Sequence, residues 1–511
     1  MMPQLNHILA CLALLILTLT SQGHGLIPDP KRDNRPEMRG KSSIVKRDGV
    51  DHNIFEHEAT GAKLDFVKNS GICETTPGVN QYSGYVSVGK NQSMWFWFFE
   101  ARHNPHKAPL ALWLNGGPGC SSMIGLFQEL GPCTFKGNST TPSLNPHSWN
   151  EYANMLFVDE PIGAGFSYGS QSVNTSVAAA PFVWNLMQAF FANFEQYKNR
   201  EFGLFTESYG GHYGPGSPPT LSPTQSPLRV HPNKLTEFAS YFESQNNAIS
   251  NGDVTGQPIN LVALGINNGW YDAYIQEIEF INFSLSNTYK PLINSSLAAQ
   301  YKAEITAGCL PVLKNCTTIS GLDAECFAAH EACGTIDNKY SDYFPQDVDW
   351  YDIRQPASSP FPPSTYLNYL QDPKVIKAIG AKSKYSECSD DVAAQFSLAG
   401  DSSRSYLPTL SDLVSSGLPT LLWAGDADAV CDWFGGYACV NSISYRHSST
   451  FKNKALTNYT VNGAVGGTFK TVGDLSWIRV FDSGHMVPAF QPELAFQVFK
   501  QLMSKGTVWA T

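Results

Sequence analysis

The sequence predicts an α/β fold: a mainly parallel central sheet with helices on both faces and an inserted cap region. Three observations predict it. Continuous apolar runs alternate with helical patterns, which is how strands buried on both faces read. Most of these runs empty into glycine-rich or small polar clusters, as strands do on leaving a sheet. Between Trp270 and about Thr409 the alternation fades, and five of the eleven cysteines gather there. That stretch reads as an insertion above the sheet.

Residues 1–25 read as an export signal. Their apolar run, residues 8–17, is too short to span a membrane and gives way to small and polar residues. No membrane anchor is expected. Residues 26–68 are polar and turn-rich and carry two dibasic pairs, Lys31-Arg32 and Lys46-Arg47. They read as a removable pro-segment or as an N-terminal arm.

The first part of the core is expected over residues 69–270. Residues 81–88 and 93–99 form paired strands around a turn. Residues 109–114 form a buried strand that ends in Asn115-Gly116-Gly117-Pro118-Gly119-Cys120. Residues 155–159 form another, followed by a glycine-rich turn. Val183, Leu186, Met187, Phe190, Phe191 and Phe194 recur at three-and-four spacing and mark the core face of a long helix. Phe202-Gly203-Leu204-Phe205 then runs into Thr206-Glu207-Ser208-Tyr209-Gly210-Gly211. This is a strand turning sharply into a helix and lifting a serine out of the sheet. The G-x-S-x-G pattern of such elbows is matched except at Thr206. Strands follow at 261–265, then, after the cap at 271–409, at 419–424 and 477–480 within the second core part, 410–511. A last helix starts near Pro492.

Composition narrows the class of function. In 511 residues, 42% hydrophobic and 12% aromatic content suffices for a large core, and a net charge of −10 argues against a nucleic-acid partner. Asn91, Asn138, Asn174, Asn282, Asn294, Asn315 and Asn458 begin N-x-S/T sequons, which with the signal point to a glycosylated secretory-pathway product. Cys11 falls in the signal. The other ten cysteines have no C-x-x-C spacing, so disulfides are expected in place of a metal or redox site. No HExxH or comparable motif occurs, and neither metal nor cofactor is expected.

A serine nucleophile needs a base and an orienting carboxylate. Asp426 and Asp428 follow the strand ending at Ala424, and His485 follows the one ending at Val480. All three candidates leave the C-terminal edge of the sheet, where open parallel sheets place their sites. The chain order Ser, Asp, His is that of an α/β-hydrolase fold. His212 is the rival base, but its position on the presumed helix carries it away from the Ser208 hydroxyl.

Four motifs resemble those of the serine carboxypeptidases, most closely the fungal secreted or vacuolar members. They are Trp113-Leu114-Asn115-Gly116-Gly117-Pro118-Gly119-Cys120-Ser121-Ser122, Glu207-Ser208-Tyr209-Gly210-Gly211-His212-Tyr213-Gly214-Pro215, Gly425-Asp426-Ala427-Asp428-Ala429-Val430-Cys431 and Gly484-His485-Met486-Val487-Pro488. The resemblance implies Ser208 as nucleophile, His485 as base then acid, and Asp428 as the orienting carboxylate. It implies the N–H groups of Gly117 and Tyr209 as an oxyanion hole. Asn115 and Glu207 would bind the substrate's free carboxylate, braced by Trp113 and Glu129 beside Gly116. Glutamate can do so only while protonated, so binding should favour acid pH. Val430, Cys431 and Met486 would contribute to the substrate pocket. The resemblance also implies the pairings Cys309–Cys333, Cys316–Cys326 and Cys120–Cys388. Cys73–Cys133 is a further expectation, and the state of Cys431 and Cys439 is open.

One departure stands out. The family continues its helix from Gly214-Pro215 directly into a segment like Phe238-Ala239-Ser240-Tyr241-Phe242. Here a Pro-rich stretch, 216–237, intervenes, and its prolines cannot continue a helix. It reads either as a surface loop or as a translated unspliced intron, because its removal restores the pattern in frame. The implied function is release of C-terminal residues from peptides through an acyl-enzyme, with secreted or vacuolar destination. Two alternatives are an acyltransferase on the same triad and an inactive binding homologue disabled by the insertion.

Overall fold

The computed structural model describes residues 40–58, 61–137, 139–215, 238–318 and 321–510. The export signal, Lys31-Arg32, Asn138 and the 216–237 insertion lie outside them.

Thirteen strands form one continuous path: β1 (Gly40–Arg47), β2 (Val50–His57), β3 (Lys63–Lys68), β4 (Gln81–Gly89), β5 (Gln92–Phe99), β6 (Leu110–Leu114), β7 (Asn154–Val158), β8 (Glu201–Glu207), β9 (Asn260–Asn267), β10 (Thr420–Gly425), β11 (Thr457–Val461), β12 (Ala464–Val472) and β13 (Leu475–Val480). Their spatial order is β1-β2-β3-β4-β5-β7-β6-β8-β9-β10-β13-β12-β11, and a fourteenth short strand, Tyr168–Gly169, pairs with β5. The centre, β7-β6-β8-β9-β10-β13, is parallel. Antiparallel wings close it on both sides. Strands β6, β7 and β10 are buried along their whole length, so they show no polar alternation. The long helix is α1 (Ser176–Asn193), whose first turn is capped by the Thr175 hydroxyl accepting from Ala178 N.

Residues 40–68 differ from the sequence expectation of a loose arm, because they form strands β1 to β3. Their polarity has a tertiary explanation. Asp65 on β3 is buried and accepts from Arg47 (2.6 Å), His52 (2.9 Å) and Lys382 (2.7 Å). Burial pushes its carboxyl up, but these three partners outweigh it and hold the pKa at about 2. Arg47 of the Lys46-Arg47 pair is thus tied into the sheet. The exposed edge strand β1 carries Lys41, Lys46 and Arg47, charges that discourage edge-to-edge pairing.

The region between β9 and β10 is helical, with α2 (Ala273–Leu285), α3 (Ser295–Glu304), α4 (Ala324–Ser341) and, later, α5 (Asp390–Leu398). The first three pack around a cluster that includes Phe283, Tyr301, Ile305 and Tyr340. Cys309–Cys333 and Cys316–Cys326 staple this cluster, Cys120–Cys388 ties the inserted region to the loop after β6, and Cys73–Cys133 joins the β3–β4 connection to the short strand Cys133–Thr134. Cys431 and Cys439 are both free and buried.

The helix after Ser208 is one short turn, Gly210–Tyr213, and a helix resumes at Phe238–Asn251. Ala239 N donates to Gly214 O (3.1 Å), and the rings of Tyr213 and Phe238 stack at 5.8 Å. The two flanks of the insertion therefore meet directly, and the backbone contacts behind Ser208 are kept.

Candidate active site

Ser208, Asp428, His485 and Asn115 all follow the C-terminal ends of central strands. Ser208 follows β8 with φ of +62°, a left-handed conformation costing an L-residue about 1–2 kcal/mol. Surrounding bonds enforce it: Ser208 N donates to Asn267 O (3.0 Å), and Ser208 O accepts from Gly211 N (2.9 Å) and Trp270 N (3.0 Å). Thr206 fits in place of the usual glycine because its hydroxyl donates to Gly210 O (2.9 Å). A Cβ on Gly210 would meet Thr206 Cβ at 2.5 Å, and one on Gly211 would meet Trp270 O at 2.2 Å. The turn thus demands both glycines.

Asp428 is fully buried and accepts four hydrogen bonds: from Asn268 Nδ2 (2.8 Å), Val430 N (2.9 Å), Cys431 N (3.1 Å) and His485 Nδ1 (2.7 Å). Burial disfavours the charged imidazole of His485. The Asp428 charge and hydrogen bond, with Glu207 and Asp349, outweigh it and raise the His485 pKa above its ordinary value. His485 N also donates to Tyr351 O (2.8 Å), and the Tyr351 ring stands edge-on at 5.0 Å. Asp426 turns elsewhere, to Tyr289 and Arg479. His212 sits fully buried 3.8 Å from Asp401, and burial lowers its pKa. It belongs to another cluster.

A second buried group adjoins the first. Asn115 Oδ1 accepts from Trp113 Nε1 (2.7 Å) and Gly125 N (2.9 Å), which points Nδ2 at Glu207 Oε1 (3.1 Å) and Glu129 Oε1 (3.3 Å). Burial raises the Glu129 pKa to about 7, against hydrogen bonds from Glu207 and Asn115. Burial and then the Glu129 charge push Glu207 well above the usual range. Burial and mutual proximity thus disfavour ionisation of both carboxyls. Asn267 Nδ2 joins the two groups, donating to Glu207 Oε2 (2.7 Å) and His485 O (2.8 Å).

Gly116 and Gly117 face the turn. A Cβ on Gly116 would lie 2.3 Å from Tyr209 N and 2.9 Å from Ser208 Cβ. Gly117 is exposed, with φ of +115°. Among the described residues neither Tyr209 N nor Gly117 N finds an acceptor. Gly116→Ala should therefore lower kcat by about 10²-fold, by displacing the Tyr209 N–H, with little change in far-UV circular dichroism. Retention of wild-type kcat would contradict that placement. Cys431 is buried, and burial pushes its thiol pKa far up. Val430 is partly exposed beside it, and Met486 is half-buried.

Sequence reasoning missed Asn267, Asn268 and Tyr351. Asn267-Asn268 carried a usable signal, since they stand at the end of β9, at the same edge at which Asp426 follows β10. Tyr351 carried none, because it comes from the inserted region.

The fold and this constellation define an α/β-hydrolase with a buried acid–imidazole pair beside a strand-end serine. The serine carboxypeptidase family model matches residues 71–225 and 236–505, and the chain belongs to that family. It is a serine-type carboxypeptidase. It is 52% identical to Carboxypeptidase S1 of Penicillium janthinellum over 447 residues, 87% of this chain and 100% of the relative. It is 33% identical to Carboxypeptidase Y of Candida albicans over 475 residues, 92% of this chain and 81% of the relative. Among solved structures, the prohormone-processing carboxypeptidase Kex1(delta)p of Saccharomyces cerevisiae superposes with a TM-score of 0.69 at 21% identity, covering 86% of this chain and 94% of that one. That likeness concerns the fold. Among the described residues no helix is long and apolar enough to cross a membrane.

Proposed function

We propose that the enzyme removes C-terminal residues with Ser208 as nucleophile, His485 as base and acid, and Asp428 as the orienting carboxylate. Ser208 Oγ bonds to the scissile carbonyl carbon while its proton passes to His485 Nε2. The carbonyl oxygen becomes an oxyanion received by the Gly117 and Tyr209 N–H groups. Collapse breaks the C–N bond, His485 protonates the leaving amine, and water then cleaves the Ser208 ester by the reverse sequence. Asp428 holds Nδ1–H and stabilises the imidazolium.

The observation that carries the exopeptidase reading is the buried Glu207–Glu129 pair oriented by Asn115 beside Ser208. A protonated carboxyl donates to a substrate carboxylate, whereas an ionised one repels it. Trp113 and Gly116 support this pocket, and Val430, Cys431 and Met486 line the adjoining one. A peptide with a free C-terminus should be hydrolysed at least 10²-fold faster than its C-terminal amide, and equal rates would refute the reading.

The sign of the pH dependence follows. Below the pair's apparent pKa values a proton is present and binding is strong. As pH rises through about 7, where Glu129 titrates, and beyond, KM for a free-acid peptide should climb. The pH optimum is therefore on the acid side for binding. The base works in the opposite sense, since a protonated His485 accepts no proton and kcat falls toward low pH. In a Glu129→Gln/Glu207→Gln double variant the climb in KM should vanish, because amides do not titrate. A wild-type KM that stays flat from pH 5 to 8 would disprove the protonated-carboxyl scheme.

The secretory reading, secreted or vacuolar, is supported by the N-terminal apolar run and by the positions of the sequons. Asn91, Asn294, Asn315 and Asn458 are exposed, while Asn174 and Asn282 are half-buried.

A further inference from the structure

Asp401 is the most heavily engaged buried carboxylate outside the acid–base pair, and the scheme above does not use it. It is fully buried. Its Oδ2 accepts from the Tyr209 hydroxyl (2.8 Å), the Ser176 hydroxyl (2.7 Å) and Ser176 N (3.2 Å), and its Oδ1 accepts from Arg404 Nη1 (3.0 Å) and the Tyr406 hydroxyl (3.4 Å). Arg404 is itself buried and donates onward to Gly321 O and Ala399 O. The His212 ring packs between Tyr209 (4.6 Å) and Tyr406 (4.2 Å). Tyr209 is the residue that follows Ser208, and its side chain thus has one anchored polar end.

The same segment grips the opposite wall. Cys388 is bonded to Cys120, Ser389 N donates to Gly119 O (3.1 Å), and Ser121 N donates to Glu387 O (2.7 Å). Gly119 lies so close to Val392 of α5 that a Cβ there would approach it at 2.7 Å. The stretch 387–404 therefore bridges the loop that carries Gly117 and the turn that carries Tyr209.

We propose that Asp401 is a positioning residue for the oxyanion hole, holding the Tyr209 backbone N–H in register through the Tyr209 hydroxyl. This rests on the reading of Gly117 and Tyr209 as that hole. The physical reason is leverage. Ser208 stands in a left-handed conformation, so the 208–209 peptide is held by its surroundings and not by its own torsional preference. An anchored Tyr209 side chain removes one freedom from that peptide. A charged acceptor in a water-free site makes the anchor strong. Misplacement of a catalytic group by about 1 Å can cost about 10²-fold.

The test compares Tyr209→Phe, Asp401→Asn and the double variant with wild type. Rates are normalised to sites titrated by a sulfonyl fluoride. A peptidyl aldehyde serves as the probe of the hole: Ser208 Oγ bonds to its carbon, the Oγ proton moves to His485, and the aldehyde oxygen becomes the oxyanion. Each single variant should lower kcat by about 10- to 100-fold with KM within about twofold, and weaken the aldehyde by the same factor. The double variant should be no worse than the poorer single one, because both act through one bond. The proposal is overturned if Asp401→Asn costs an equal further factor in the Tyr209→Phe background, or if it lowers only the melting temperature and the titratable fraction. Should Asp401→Asn fail to fold, Tyr209→Phe decides alone. A normal melting temperature with reduced kcat supports the anchor, and wild-type kcat sinks it. If Gly116→Ala, whose added Cβ would displace the Tyr209 N–H, binds the aldehyde as tightly as wild type, the oxyanion-hole reading itself is wrong, independently of Asp401.

Discussion

Ser208→Ala should lower kcat/KM for a blocked dipeptide by about 10⁶-fold, the scale seen when a serine nucleophile is deleted and only binding and the oxyanion hole remain. The substitution removes one hydroxyl and leaves the turn's backbone bonds to Asn267, Trp270 and Gly211 in place. Alanine meets the same left-handed strain as serine. The melting temperature should therefore stay within a few degrees of wild type, and the loss is chemical. Two readings check it together: steady-state hydrolysis, and covalent labelling by a sulfonyl fluoride, which should disappear. An alanine variant that keeps more than about 1% of the wild-type rate would remove Ser208 from the mechanism.

Asp428→Asn should cost about 10⁴-fold in kcat, the magnitude associated with loss of the orienting carboxylate. An asparagine is nearly isosteric but offers one acceptor oxygen to a site that presents four donors, from Asn268, Val430, Cys431 and His485. It also deletes the negative charge beside the imidazole. That charge is the leading influence that raises the His485 pKa against burial. Once it is gone, burial prevails and the pKa should fall, so the acid limb of the pH–rate profile should move to lower pH while the plateau drops. Both shifts are read from one kcat profile between pH 4 and 8. A variant with a lowered plateau but an unmoved limb would show that Asp428 does not set the charge of the base.

Much of this site could be read along the chain because each part is local. The buried strand before Ser208 shows as an unbroken apolar run, and the turn shows as small residues that only a close backbone approach requires. Gly210, Gly211 and Gly116 each face an atom within 2.5 Å of where a Cβ would sit, which is why the motifs tolerate no side chain there. The wings were harder. Strands β1 to β3 look like a polar arm because the partners of Asp65 are spread between Arg47, His52 and the distant Lys382. A charge cluster assembled from far segments has no period to detect. The cap faded for a related reason. Its helices surround a small cluster of their own and are held by Cys309–Cys333 and Cys316–Cys326, so their apolar stripes are weak.

The sequence by itself determined the order of the central strands and the long helix, the sharp turn at Ser208 and the edge at which the polar motifs emerge. Those follow from periodicity and from the φ values that turns demand, both properties of neighbouring residues. Only the tertiary structure decided that Asp428 and not Asp426 meets His485, that His212 is enclosed with Asp401, and that Glu207 lies against Glu129. These outcomes depend on distance and on the exclusion of water between segments remote in the chain, and Coulomb interactions and desolvation act through space, where no local pattern records them.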